Sequence, residues 1–191
     1  LLVFMDLVAA ERKTGRVAMP VTTTRVAEKV ATFHGVEVEW TTTSPDDLSV
    51  AAERPGLILA GDGKGGYVIP EFGVALDAVA AFVRLVGLVA RAQLSLSEID
   101  ARIQDSNVTR RNVPTPWAAK GMVMRSIVEA AGARELDTTD GVRVVEPDGR
   151  WVLVLPDPAE AVTHLWAEAP TQEESISLLD EWTEVVERAG Q

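Results

Sequence analysis

The sequence predicts an α/β fold: a three-layer domain with a mixed sheet, followed by a small α+β domain whose sheet is flanked by helices. Two observations support this prediction. In the first half of the 191 residues, short apolar strands alternate with amphipathic helices, which is typical of a layered α/β domain. In the second half, three strands follow one another and a long helix comes last. We therefore predict a leading helix at 1–12, a first domain at 13–112 and a second domain at 113–191.

The leading segment has helical spacing, because Leu1, Phe4 and Leu7 fall on one face. This apolar face predicts a helix that leads in from an upstream domain outside the present sequence. Within the first domain, glycines, prolines and capping residues separate the remaining elements. Strands are predicted at 16–20, 36–40, 57–60 and 67–69, and helices after 22–24, after Ser44, at 75–92 and at 95–103.

Two prolines in the segment 109–116 predict a linker between the domains. The second domain then begins with a predicted helix at 117–131. Three short strands follow it, near 142–145, 151–155 and 162–167. The last helix begins with a capping-box pattern, because Thr171 is followed three residues later by Glu174. These elements predict a small sheet with one face covered by helices.

Composition and charge exclude several classes of function. The formal net charge is −11 and the sequence pI is about 4.6, so the cationic surface that nucleic acids require is lacking. The chain has no cysteine, which excludes disulfides and thiolate chemistry. The longest apolar stretch, 72–92, is interrupted by Asp77, Arg84 and Gly87, which favours a buried helix over a membrane span. No signal peptide is visible, and we expect a cytoplasmic protein with neither nucleic-acid nor membrane partners.

The glycine-rich segment 61–66 is the strongest local signal for a binding loop. Its backbone N–H groups could converge on an anion, and Lys64 would add positive charge. The spacing fits neither a P-loop nor a dinucleotide fingerprint, since no Ser or Thr follows the lysine and a strand comes next instead of a helix. A hairpin turn that needs glycines at positive φ explains the segment more simply. The residues alone leave both interpretations open.

Neither histidine is interpreted as a catalytic group or a metal ligand. His34 stands next to Gly35 at a predicted helix end, where we expect it to cap backbone carbonyls. His164 alternates on a predicted strand, and no Cys, His or carboxylate at metal-ligand spacing accompanies it.

The segment 151–169 reads as strand, tight loop, strand, and it is similar to the last domain of the α-D-phosphohexomutases, which include phosphomannomutase and phosphoglucomutase. In that family, the loop Arg-Pro-Ser-Gly-Thr-Glu-Pro binds the phosphate of the sugar. Here only Pro156 and Glu160 keep the family's residue types. A leucine replaces the arginine, Asp157 replaces the serine with a negative charge, and Pro158 removes one backbone donor. We predict a degenerate phosphate loop, with Pro156, Asp157 and Glu160 as its residues, that binds no phosphate.

The same resemblance extends to 61–66, where the family has Gly-Glu-x-Ser-Gly-His and binds sugar hydroxyls. Asp62 stands in place of the glutamate, Lys64 in place of the serine and Gly66 in place of the histidine. The resemblance thus implies a degenerate sugar-binding loop made of Asp62, Lys64, Gly65 and Gly66.

The resemblance covers nearly the whole chain, as the third and fourth mutase domains. The family's phosphorylated serine and its Asp-x-Asp-x-Asp metal loop belong to the first two domains and are not in this sequence. The resemblance therefore implies no catalytic residue, no metal ligand and no cofactor here, with Mg²⁺ expected only in upstream domains. The partners that it implies are those upstream domains of the same chain and a hexose phosphate or nucleotide sugar. It leaves the oligomeric state open.

The runs 40–48 and 115–121, with the altered loop at 155–161, also look like long actinobacterial mannose-1-phosphate guanylyltransferase-like proteins. Those proteins carry a nucleotidyltransferase domain ahead of a mutase-like region. On this basis we interpret the chain as the C-terminal part of such a protein, a degenerate structural or regulatory module that is not catalytic alone. The alternative is the substrate-binding half of an active phosphomannomutase or phosphoglucomutase, which transfers phosphate between C1 and C6 of a hexose. An independent anion-binding module built on 61–66 is the third hypothesis.

Overall fold

The computed structural model describes residues 1–190 and divides the chain into two compact units, the first at Leu1–Gln104 and the second from Asp105 onward. The first unit alternates helices and strands, and the second is built on an antiparallel sheet. The predicted α/β fold class is therefore confirmed. The units divide upstream of the predicted 112/113 boundary, because the residues from Asn107 onward pair with the second sheet.

The first unit contains five helices and four strands among the described residues. These are α1 (Leu2–Arg12), β1 (Arg16–Pro20), α2 (Val26–His34), β2 (Glu37–Thr41), α3 (Pro45–Ala52), β3 (Leu57–Gly61), β4 (Tyr67–Val68), α4 (Ala78–Ala92) and α5 (Leu96–Asp100). The strand order is β2-β1-β3-β4, in which β1 runs parallel to β2 and β3, and β4 pairs antiparallel with β3. The sheet is thus mixed, as predicted.

The side chains of β1 alternate between the two faces of the sheet, and each face packs against helices. Val17 and Met19 point into a core that they share with α1, α2, α4 and α5. Ala18, between them, points to the opposite face and packs in the cluster that contains α3. Helices therefore cover both faces of the sheet.

Helix α1 is the predicted leading segment 1–12, and it belongs to the core of the first unit. Phe4, Met5 and Val8 are buried in the same cluster as the β1 side chains. The edge of the Phe4 ring also meets the Tyr67 ring, with 5.1 Å between the centroids. The apolar face of this helix is consequently satisfied inside the unit.

Helix α4 differs from the buried helix that the sequence predicts at 75–92. Only Ala81 and Leu88 are fully buried in it. Its outer stripe exposes Val79, Phe82 and Val83, and the Phe82 side chain is 67% exposed. Within residues 1–190, no helix combines the length and the apolarity that a bilayer crossing requires.

The second unit is a five-stranded antiparallel sheet with two long helices. Its elements are β5 (Asn107–Pro114), α6 (Lys120–Ala131), β6 (Glu135–Asp137), β7 (Val142–Val145), β8 (Trp151–Pro156), β9 (Val162–Ala169) and α7 (Gln172–Ala189), with a short 3₁₀ turn at Trp117–Ala119 before α6. The strand order is β5-β9-β8-β7-β6. One face packs on α6 and α7, where Ile127, Leu165 and Trp182 are buried together.

The linker predicted at 109–116 is wrong, because most of this segment is strand β5. The strand pairs with β9 from Asn107↔Ala169 to Pro114↔Val162. Its position at the sheet edge tolerates proline, since an edge strand has one side free of ladder hydrogen bonds. Exposed residues alternate with half-buried ones along most of the strand, and most residues of both sets are polar, so it lacks the apolar run that marks a central strand.

Candidate functional site

The loop at 61–66 is the turn of a hairpin between β3 and β4. Gly61 pairs with Tyr67, and the N–H of Asp62 donates to the carbonyl of Gly66 at 3.1 Å. Gly63 and Gly65 have φ values of 72° and 109°, which only glycine adopts at low cost. The hairpin interpretation of this segment therefore describes its backbone.

The Asp62 carboxylate is engaged by its own loop. Its Oδ1 accepts the backbone N–H of Lys64 at 2.7 Å and that of Gly66 at 2.9 Å. A Cβ on Gly66 would lie 2.8 Å from Asp62 Oδ2, so a side chain at 66 would displace this carboxylate. The conformation of Asp62 thus depends on the glycine four residues later.

Two of the predicted sugar-loop residues, Lys64 and Gly65, are accessible to a ligand. Among residues 1–190, no hydrogen bond or ion pair engages the exposed ammonium of Lys64. Gly65 has open space around it, since a Cβ built there meets no atom within 4 Å. Gly61, in contrast, is needed for packing, because its built Cβ would lie 2.8 Å from the Tyr67 ring.

The second candidate loop connects β8 to β9 and begins directly after Pro156. Asp157 closes it, since its N–H donates to the carbonyl of Val162 at 2.9 Å. Its Oδ1 accepts the backbone N–H groups of Ala159 at 2.7 Å and Glu160 at 2.8 Å. In a phosphate-binding loop such amides would point at the ligand. Here a carboxylate of the chain itself occupies them.

His164 holds the other oxygen of Asp157. Its Nε2 donates to Asp157 Oδ2 at 2.8 Å, and its Nδ1 lies 2.8 Å from Asn112 Oδ1 and 3.3 Å from the Arg110 guanidinium. This imidazole contact, followed by the two amides, holds the pKa of Asp157 below its ordinary value of 3.8. Asp157 is therefore a stabilised anion at neutral pH.

Lys120 stabilises the loop through two of its backbone carbonyls. Its ammonium donates to the carbonyls of Asp157 and Glu160, and it lies 3.5 Å from the centroid of the Trp117 ring. The ammonium of Lys120 is consequently engaged by two neutral loop carbonyls and an aromatic ring.

Lys120, Asn112 and the Asp157–His164 pair could not be identified from the sequence as parts of the loop. Lys120 and Asp157 are 37 residues apart, and no spacing rule connects them. A partial signal existed for His164, because Val162 begins β9 and a side chain two residues later lies near the loop.

The structure also corrects the role expected of His34, whose Nε2 contacts Asp6 Oδ1 at 2.6 Å rather than backbone carbonyls. In residues 1–190, no group of three His, Cys, Asp or Glu side chains is placed to hold a metal.

Sequence and structure comparisons point to one family. The model of the phosphoglucomutase/phosphomannomutase α/β/α domain III matches residues 1–105. A protein named "Probable phosphoglucosamine mutase" from Methanopyrus kandleri is 32% identical over 181 residues, which cover 93% of this chain and 40% of the relative. A phosphoglucomutase/phosphomannomutase from Thermococcus kodakarensis is 26% identical over 189 residues, again 40% of that protein. The chain thus spans about 40% of the length of these curated relatives.

Solved structures agree on the fold. A phosphoglucomutase/phosphomannomutase family protein from Burkholderia thailandensis superposes with a TM-score of 0.80 at 18% identity, over 99% of this chain and 41% of that one. The N-acetylphosphoglucosamine mutase of Aspergillus fumigatus gives 0.74 at 11% identity, over 99% and 43%. Together with the domain match, these similarities show that the chain belongs to the phosphoglucomutase/phosphomannomutase family and carries its α/β/α domain III.

Proposed function

We propose that this chain is a degenerate phosphohexomutase module that is structural or regulatory and not catalytic alone. In this proposal its parent is a sugar-phosphate or nucleotide-sugar enzyme of the mannose-1-phosphate guanylyltransferase type. The observation that carries the proposal is the loop after β8, in which the backbone N–H groups of Ala159 and Glu160 already donate to the Asp157 carboxylate.

The charge of this loop argues against a phosphate ligand. A phosphate dianion about 4 Å from the Asp157 carboxylate would be repelled by roughly 2 kcal/mol in water and more in a drier site. It would also have to displace Asp157 from two amides and from His164. The Lys120 ammonium keeps its charge but donates to two loop carbonyls, so a phosphate would have to compete with these carbonyls for a direct contact with it.

The sugar loop supports the same proposal. The Asp62 carboxylate that would receive a sugar hydroxyl already accepts two backbone N–H groups. The sequence also contains no Asp-x-Asp-x-Asp run, which in the family holds the Mg²⁺. We therefore place Mg²⁺ binding and phosphoryl transfer in upstream domains of the parent, and we propose a cytoplasmic location, where sugar phosphates are handled.

The test is an amide NMR titration of the chain with mannose 1-phosphate, glucose 1-phosphate and GDP-mannose. We expect no saturable shift at the amides of Ala159 and Glu160 up to millimolar ligand. The variant Asp157→Ser frees both amides, and it should gain weak phosphate-dependent shifts at them. The matched control is Asp148→Ser, which removes a turn aspartate from the neighbouring β7–β8 connection. Saturable wild-type shifts at Ala159 and Glu160 that disappear in Asp157→Ser would overturn the proposal.

A second candidate is the substrate-binding half of an active hexose phosphate mutase. The Lys64 ammonium and the Glu160 carboxylate favour it, because neither makes a hydrogen bond or ion pair among residues 1–190 and both lie on the candidate loops. Several relatives also carry the name of a mutase. An assay of the full-length parent for phosphate transfer between C1 and C6 separates the candidates. Transfer that falls at least tenfold in Lys64→Ala would support the second one.

A further inference from the structure

A cleft of about 460 Å³ opens in the first unit, and no residue of the loop at 61–66 lines it. Its walls come from α1, α2 and the chain that runs from the end of α4 through α5. The floor is apolar and belongs to the core, since Leu7, Val30 and Ile99 are buried there. This volume lies in the range of small-molecule sites, which are mostly apolar with a few placed polar groups.

Phe33 forms one wall of this cleft and is almost entirely exposed. Its side chain is 83% accessible to solvent, although a phenylalanine on an amphipathic helix is normally turned to the core. The ring meets the imidazole of His34 edge to face, with 4.9 Å between the centroids. An exposed aromatic ring beside an apolar floor offers a stacking surface for the body of a ligand.

Two cations, Lys29 and Arg102, line the rim of the cleft. Lys29 donates to Gln104 Oε1 at 2.6 Å, and within residues 1–190 neither Lys29 nor Arg102 makes an ion pair. Three acids, Glu98, Asp100 and Asp105, lie within four residues of Arg102 in sequence, and none of them forms an ion pair with it among residues 1–190. Glu98 is bound by Ser95 in the capping box of α5, and the charge of Arg102 acts on it as well. In a chain with a net charge of −11, two cations beside an apolar cavity that form no ion pair among the described residues favour an anionic ligand over a neutral one.

A hydrogen-bonded pair, Asp6 and His34, lines the cleft next to Phe33. Asp6 and His34 contact each other at 2.6 Å, and their side chains are 19% and 12% exposed. The carboxylate of Asp6 repels an anion from this wall. The charged end of a ligand is therefore directed to Lys29 and Arg102, and its apolar end to the floor.

We propose that this cleft binds a small organic anion with an apolar body, such as an alkyl or aryl carboxylate. The body lies on Leu7, Val30 and Ile99 against the Phe33 ring, and the carboxylate contacts Lys29 and Arg102. Helix α1 connects this site to the sugar loop: its neighbour Leu1 approaches Gly61, whereas Asp6 and Leu7 line the cleft. The site is distinct from the loops considered above, and its ligand is neither a sugar nor a phosphate.

The experiment titrates octanoate and 2-naphthoate into the ¹⁵N-labelled chain, with 1-octanol as the uncharged probe. We expect saturable shifts in segments 6–10, 29–34 and 99–104, and binding of octanoate at least tenfold tighter than that of octanol. Removing one charged contact, in Lys29→Gln or Arg102→Gln, should weaken octanoate roughly tenfold. Ala10→Trp places a ring in the cleft from an exposed position and should block binding without disturbing the core.

The matched controls substitute the same residue types at positions outside the cleft. Arg125→Gln removes an exposed arginine of the second unit, and Phe72→Ala removes another exposed phenylalanine. Both should leave the octanoate affinity unchanged. Equal affinity for octanol and octanoate, or shifts confined to the exposed stripe of α4, would overturn the proposal. These outcomes are independent of the phosphate titration, because no sugar phosphate is used.

Discussion

At the scale of single residues, Asp157 takes the place of a bound anion. It accepts two loop amides through one oxygen and the His164 imidazole through the other. Charge-assisted hydrogen bonds of this kind are stronger than neutral ones. One substituted side chain therefore both stabilises the loop and removes the donors that a phosphate would need.

The first prediction concerns the titration of Asp157. Its pKa is lowered by His164 first and then by the amides of Ala159 and Glu160. These contacts therefore stabilise the folded state at pH values above 3.8, the ordinary pKa of an aspartate. That stabilisation is lost as the pH falls through the lower, folded-state pKa. We expect a ¹³C carboxyl titration to place the Asp157 midpoint below 3.8 and His164→Ala to raise it.

Asp148 serves as the internal control for this titration. Its pKa is also lowered, chiefly by the backbone N–H of Arg150, and His164 plays no part in it. The Asp148 midpoint should therefore stay unchanged in His164→Ala. An Asp157 midpoint that does not move in this variant would show that the imidazole contact is absent in solution.

At the scale of elements, the β3–β4 hairpin depends on Gly66. A methyl group there would lie 2.8 Å from Asp62 Oδ2 and would push the carboxylate off the amides of Lys64 and Gly66. We expect Gly66→Ala to cost about 1 kcal/mol of unfolding free energy, the contribution of a typical side-chain hydrogen bond. Urea unfolding gives the free energy, and amide hydrogen exchange at Lys64 should become faster.

The control for this substitution is Gly121→Ala in α6. A Cβ at Gly121 meets nothing within 4 Å, and alanine favours a helix over glycine. This variant should be neutral or stabilise the protein by up to about 1 kcal/mol. Equal destabilisation by both changes would contradict a specific role for Gly66.

The elements also show what the sequence could and could not predict. The capping box at Thr171 and Glu174 is confirmed, since a cap is specified by residues three apart. Strand β5 escaped prediction, because an edge strand with a run of polar residues and a final proline resembles a linker. The substituted loop residues could be read from the sequence, but the Lys120 contact could not. It joins residues that only the tertiary fold brings together.

At the scale of the whole molecule, strand β5 determines where the chain can be divided. Its eight residues pair with β9, and Val113 is buried in the core of the second unit. A cut at 104/105 preserves this pairing, whereas a cut at 112/113 removes six of the strand's residues. Without β5, the ladder groups of β9 would form an exposed edge, which promotes association between chains.

The last prediction compares two fragments that differ only in this strand. We expect fragment 105–191 to unfold in one cooperative transition and to remain a single species in size-exclusion chromatography. Fragment 113–191 should lose the cooperative transition or aggregate, because it exposes β9 and loses the packing of α7 against β5. Adding a synthetic 105–114 peptide to the shorter fragment should restore part of the ellipticity, since the missing strand pairs through its backbone. Cooperative, monomeric unfolding of 113–191 alone would show that residues 105–112 are dispensable and would support the boundary at 112/113.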